Sequence, residues 1–210
     1  ETKRCGEIVK GLLDFSRKDQ DDFEQKNLNA ILQDTFDLMT HPIRIANIRF
    51  HADLTAVNDQ IFCSPNQIKQ ACVAMLVNAS EAVGENGEIV IRTRNTDNDT
   101  ISFDISDNGV GISAEDFPHI FEPFFSTKDI GQGTGLGLST TFAIVKEHGG
   151  FLNMESEPGK GSTFRVYLPA PPSLESTRDE KTGRDQLPLG HGELILVVDD
   201  EENIRDVTRK

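Results

Sequence analysis

From Thr100 to Asp107 apolar and polar residues alternate, with Ile101, Phe103 and Ile105 set against Ser102, Asp104 and Ser106, the period of a strand with one buried face. The period changes over residues 65–83. There Ile68, Cys72, Met75, Leu76 and Ala79 recur at helical spacing, Ser64 stands as N-cap, Pro65 and Gln67 take the first and third helical positions, and Gly84 supplies a stop, which predicts a capping-box helix. A second helix is predicted over Asn27 to Met39 from Leu28, Ile31, Leu32, Thr35, Phe36 and Met39, and a third from Leu138 to His148. Strands are expected near 47–53, 59–63, 88–95 and 100–107, followed by a short helix opened by Ser113. A last pair, 151–156 and 162–168, is joined by EPGKG, a glycine-containing turn suited to a hairpin. This order reads as an α/β domain.

The two ends follow other patterns. Residues 1–18 carry Ile8, Leu12 and Phe15 on one helical face, with Lys3, Arg4, Lys10 and Arg17 elsewhere, an amphipathic helix that needs a partner. Residues 171–192 lose all periodicity and fill with Pro, Ser, Gly and charge, so a linker is expected. Beyond it, 194–198 form a continuous apolar strand ending in Asp199 and Asp200 and leading toward a helix. Parallel buried strands look like this, and adjacent carboxylates at such a strand end suit a Mg²⁺ site.

Composition narrows the class. With 210 residues and 36% hydrophobic content the chain can bury a sizeable core in one main domain. A formal charge of −14 argues against nucleic acid as a partner, because a phosphate backbone would be repelled. Cys5, Cys63 and Cys72 form no CxxC pair and leave an odd count, the usage of reduced thiols in a cytoplasmic setting. No apolar stretch reaches the ~18–20 residues needed to span a bilayer, so no membrane contact is expected of this chain. It begins at Glu1 without a methionine, as an excised fragment would, and an anchor in the full-length protein would then lie upstream.

The candidate chemistry is concentrated at 107–139. Asp107, Gly109 and Gly111 set one carboxylate beside two residues without Cβ at a strand end, where a planar ligand can approach the backbone and a carboxylate can accept from the exocyclic amine of adenine. Gly131, Gly133, Gly135 and Gly137 alternate just before a helix, so backbone N–H groups and a helix N-terminus can face phosphates, and Lys128 adds a positive charge. Neither GxxxxGK[ST] nor GxGxxG occurs there. Upstream, Asn78 shares a helical face with Ala71, Ala74 and Glu81, and its carbonyl oxygen can coordinate a hard cation such as Mg²⁺.

Asn78 in LVNASEAV, DNGVGIS at 107–113, FEPFFSTK at 121–128 and GTGLGLS at 133–139 resemble the N, first glycine, phenylalanine and second glycine boxes of sensor histidine kinases, of the GHKL (Bergerat) ATPase superfamily. The resemblance covers about residues 27–170, and the phenylalanine box separates it from gyrase, heat-shock chaperone and mismatch-repair ATPases. It implies a two-layer α+β sandwich, the Bergerat ATP-binding fold: a mixed sheet covered on one face by three helices, with ATP and Mg²⁺ between helices and lid. By that resemblance Asn78 is the metal ligand, Asp107 reads adenine, Gly109, Gly111 and Ile112 shape the base pocket, and Lys128 acts with Asn78 in catalysis. Thr127, Gly133, Thr134, Gly135, Leu136, Gly137 and Leu138 line the lid and with Phe121 and Phe125 bind the nucleotide, while Phe121, Phe124 and Phe125 seat the lid on the domain. One departure is Ala74, where many members carry a polar residue one turn before the metal asparagine.

The ends extend the resemblance. Residues 1–20 look like the second helix of the dimerisation and phosphotransfer hairpin, 21–170 the catalytic domain, 171–192 the linker, and 193–210 the start of a response-regulator receiver, the arrangement of a hybrid kinase. None of His41, His51, His119, His148 and His191 has the setting of a phosphoacceptor, which is followed by an acidic residue and soon by proline, so the acceptor hairpin would precede Glu1. The reaction implied is transfer of the ATP γ-phosphoryl group to that histidine and thence to a receiver aspartate. An ATP-hydrolysing conformational switch and a non-catalytic nucleotide-binding scaffold stay open as alternatives, the latter because of Ala74.

Overall fold

The computed structural model describes residues 22–84, 86–96, 99–128 and 133–170. The amphipathic stretch 1–18, the linker, the apolar strand of 194–198 and Gly131 lie outside the described residues. In chain order the elements are β1 (Glu24–Asn27), α1 (Leu28–Ile45), β2 (Arg49–Leu54), β3 (Gln60–Cys63), α2 (Pro65–Val83), β4 (Glu88–Thr96), β5 (Thr100–Asp107), α3 (Gly137–Glu147), β6 (Phe151–Glu157) and β7 (Gly161–Pro169). Five strands form one mixed sheet in the order β2-β4-β5-β7-β6, parallel between β2 and β4 and antiparallel elsewhere. The three described helices lie on one face, the side of Ile101, Phe103 and Ile105, while Ser102 and Asp104 on the other face of β5 are buried as well, contrary to a strand with a single buried face. Ile101, Phe103 and Ile105 are buried against the helical layer, where Ile68, Cys72, Met75 and Leu76 form the inner stripe of α2. Burying a side chain such as Phe103 contributes roughly 1.5–3 kcal/mol. On the opposite face Asp104 sits 3.7 Å from both Arg92 and Arg94 and 3.9 Å from Arg165.

One strand is added and three local expectations are corrected. The polar, exposed segment β1 has no strand signal; it forms by antiparallel backbone pairing with β3. The first helix continues past Met39 to Ile45 with Pro42 inside it, held by burial of Ile43. The segment after Ser113 is a succession of turns rather than a helix, with Phe117 N–H bonded to Ser113 O but His119 to Asp116 O and Glu122 to His119 O. Pro118 supplies no donor there. The capping box at α2 is half made. Ser64 Oγ accepts from Gln67 N–H at 3.3 Å, but the Ser64 N–H donates to His148 Nε2 at 3.0 Å, and Gln67 Oε1 is buried without a hydrogen-bond partner.

That histidine joins distant parts. Its Nδ1 donates to Ile144 O at 2.7 Å, which leaves Nε2 as the acceptor of a neutral ring, and the ring stacks on Phe23 at 4.6 Å. Burial holds its pKa below the usual 6.5, against the opposing influence of the Ile144 bond and Glu147. The C-terminal end of α3 is thereby tied to the first turn of α2.

Candidate functional site

The site begins where β5 ends. Register pairs Asp107 with Ser162 of β7, so one carboxylate oxygen, Oδ1, accepts from Gly109 N–H at 2.9 Å and from Ser162 N–H at 3.3 Å. The other oxygen takes no hydrogen bond among the described residues, and the side chain lines a cavity. Burial raises the pKa of Asp107 while these two N–H groups pull it down. The glycines beside it do a job their sequence does not suggest. A Cβ on Gly109 would lie 2.4 Å from the Ala82 carbonyl oxygen, and one on Gly111, whose φ is +70°, 2.2 Å from that of Glu157. Both therefore let chain approach chain, and Gly111 also lines the cavity. They lock the turn between the end of α2 and the β6 to β7 hairpin, as do the bonds Val110 N–H to Ala82 O and Gly159 N–H to Val110 O.

The second wall is α2. Asn78, Ala74 and Glu81 face the cavity, whereas Ala71, expected on the same face, is buried in the core. Gly137, the first residue of α3, stands against this wall: a Cβ there would come within 3.7 Å of both Ala74 Cβ and Asn78 Nδ2. Thr141 Oγ1 bonds Gly137 O at 2.9 Å and Ala71 O at 3.5 Å, fixing α3 on α2.

The lid residues close the third side. Thr127, Lys128, Gly133, Thr134, Gly135 and Leu138 line the cavity, and Lys128 Nζ pairs with a Glu81 carboxylate oxygen. Gly135, at φ +67°, places its carbonyl to accept from Phe124 N–H at 2.9 Å. The three phenylalanines divide the work. Phe121 packs on Phe142 of α3 at 5.5 Å, Phe125 lines the cavity, and Phe124, 53% exposed as a residue, seats the lid through its backbone. His119 is half exposed and bonds Glu122 at 2.9 Å.

Together these walls enclose about 570 Å³, within the range of small-molecule sites. Of the sequence-selected residues, Asn78, Asp107, Gly111, Ile112 and Phe125 join the lid in lining it; Gly109, Phe121 and Leu136 lie outside its lining. Sequence reasoning missed Phe164 and Ser162 of β7 and Asp116, because only strand register and turn geometry bring them here. Asp116 is held by Ser113, whose Oγ donates to the carboxylate at 2.7 Å and accepts from the Asp116 N–H at 3.1 Å. The donor set fits a magnesium nucleotide: an open carboxylate oxygen on Asp107 for an exocyclic amine, and the hard oxygen donors of Asn78 and Glu81 in the same lining as the lid glycines. Cys63 and Cys72 take no part, being buried thiols whose pKa values are pushed up to about 11 and about 12.

Residues 63–172 match the family described as histidine kinase-, DNA gyrase B-, and HSP90-like ATPase. Sporulation kinase E of Bacillus subtilis (strain 168) is 33% identical over 181 residues, covering 86% of this chain and 24% of its own length. Sensor kinase CckA of Brucella abortus (strain 2308) is 34% identical over 229 residues, covering 96% and 23%. The chain thus spans about a quarter of the length of these relatives. Among solved structures, the nucleotide-free catalytic domain of histidine kinase ThkA superposes with a TM-score of 0.64 at 33% identity, over 71% of this chain and 96% of that one. ThkA in complex with the response regulator TrrA gives 0.66 at 29% identity, over 83% and 49%. The chain belongs to the histidine kinase-, DNA gyrase B- and HSP90-like ATPase family, and its described domain is the ATP-binding catalytic domain of a sensor histidine kinase.

Proposed function

We propose that this domain binds Mg–ATP in the cavity between α2, the end of β5 and the lid, and passes the γ-phosphoryl group to a histidine on a hairpin upstream of Glu1. The observation that carries the reading is the open Asp107 oxygen in a cavity that Asn78, Lys128 and the lid glycines also line. Asp107 reads the adenine amine, Asn78 holds Mg²⁺ and Lys128 steadies the phosphates. Phosphoryl transfer needs positioning and charge neutralisation more than covalent help from the protein, and this lining supplies both. The final acceptor is a receiver aspartate. Residues 193–210 begin such a receiver in a hybrid kinase, and the ThkA complex with a response regulator supports a partner of that kind. The full-length protein works as a dimer through its hairpin, in the cytoplasm where ATP is available. No described helix is long and apolar enough to cross a membrane.

Radiolabelled ATP mixed with this chain and a separate acceptor hairpin tests the reading. Acid-labile label on the hairpin histidine is expected, and Asn78→Ala should abolish it. Free phosphate without labelled protein would indicate a hydrolytic switch, and bound, unreacted ATP a scaffold.

A further inference from the structure

We propose that Glu81 is a positioning residue that changes partner in this site. It holds Lys128 while no nucleotide is bound, then turns to the magnesium ion beside Asn78 when phosphates take the lysine. The inference rests on the nucleotide reading above and assigns a role to a residue that has none in it.

Charge is the first argument. Three carboxylates, Glu81, Asp107 and Asp116, and one ammonium, Lys128, are the charged side chains described in the cavity lining. Two of the carboxylates are committed: Asp107 to the N–H groups of Gly109 and Ser162, and Asp116 to Ser113. Among the described residues Glu81 bonds only Lys128. Both side chains of that pair are partly exposed, so the attraction is weak and readily exchanged. A di- or triphosphate carries more negative charge than one carboxylate and would outcompete Glu81 for the lysine.

Once Lys128 leaves, an uncompensated carboxylate would face the phosphates and repel them. Placement supplies the remedy. Glu81 lies three residues after Asn78, on the same face of α2 and in the same cavity wall. Ala74, one turn before Asn78, offers no polar atom to a metal or its waters. Magnesium keeps several waters and favours carboxylate oxygen, so Glu81 can accept from a metal-bound water or ligate directly, supporting Asn78 from the C-terminal side. One carboxylate thus steadies the lid lysine in the empty site and the cation in the filled one.

Calorimetry with ADP on the full chain, with and without Mg²⁺, tests this with wild type, Glu81→Gln, Lys128→Gln and the double variant. Without Mg²⁺, Glu81→Gln should bind ADP roughly two- to fivefold tighter, the scale of an exposed ion pair released. That gain should vanish in the Lys128→Gln background. The improvement in affinity conferred by Mg²⁺ should fall about ten- to a hundredfold in both variants lacking Glu81, the scale for a residue that supports a metal ligand. Glu81→Asp, which keeps the charge, should retain part of the Mg²⁺ response. Binding of Mn²⁺ with ADP, followed by electron paramagnetic resonance, should weaken in parallel in Glu81→Gln. An unchanged Mg²⁺ dependence, or an unchanged Mg²⁺-free affinity, would overturn the exchange while leaving ADP binding by the wild type intact. Wild type that fails to bind ADP would instead sink the nucleotide reading itself.

Discussion

Asp107→Asn is a near-isosteric change at an atom whose partners are known. In the wild type Oδ1 is occupied by the N–H groups of Gly109 and Ser162, and the second oxygen takes no hydrogen bond among the described residues; in the proposed function it accepts from the adenine amine. An asparagine cannot serve both sides. If its oxygen keeps the backbone bonds, its NH₂ group faces the adenine amine, donor against donor; if the amide turns over, two backbone N–H groups lose their acceptor. Either arrangement removes a charged hydrogen bond, about 1.5–3 kcal/mol, which lowers ATP affinity roughly ten- to a hundredfold. Guanine carries an oxygen where adenine carries the amine, so GTP should bind the wild type poorly and gain from the variant. Stability moves the other way. Burial raises the carboxyl pKa above its ordinary 3.8, so the folded state holds its proton more firmly than the unfolded chain, and ionising it at neutral pH costs stability. Nucleotide-free Asp107→Asn should therefore melt at a higher temperature than wild type at pH 7, with the gain shrinking as pH falls toward about 4. Isothermal calorimetry with ATP and GTP, and melting curves across pH, measure both effects. Equal affinity of the wild type for ATP and GTP, or variant affinity equal to wild type, would refute the assignment.

Replacing His148 with Ala strips the acceptor from the buried Ser64 N–H and should cost about 1–3 kcal/mol, read as a lowered denaturation midpoint. Because the folded His148 pKa lies below 6.5, the unfolded chain takes up the proton first, so wild-type stability should decline as pH drops below about 6.5; a flat profile from 7 to 5 would contradict the neutral ring. Gly135→Ala puts a Cβ 2.4 Å from the Phe124 carbonyl carbon at a φ of +67° and should unseat the lid, weakening ADP binding with little change in melting temperature; undiminished affinity would argue against that seat. Incubated alone with ATP, this chain should bind nucleotide without gaining acid-labile phosphate, since positioning cannot act on an absent nucleophile; label mapped to any of its five histidines would show otherwise.

Periodicity alone determined the central strands, the helix 65–83 and the final hairpin, because burying one face of a strand or helix imposes a spacing that local sequence must carry. Box order on the chain likewise singled out Asn78, Asp107, Gly133, Gly135 and Gly137, which the structure brings into the lining of one cavity. What local pattern cannot carry is a partner far along the chain. The Ser64 cap looked complete with Gln67, yet its N–H is answered by His148, 84 residues away. Gly109 and Gly111 looked shaped for a ligand, and the structure adds that each also removes a Cβ from the path of another backbone. Strand β1, all polar, exists because β3 has an edge to offer, and the turns after Ser113 fail as a helix at Pro118. The reach of Ser162 to Asp107 was set by strand register, and that of Lys128 to Glu81 by where the chain after the phenylalanine box meets α2. Those are properties of the assembled sheet and helices, decided by which backbone groups still needed partners once the core had formed.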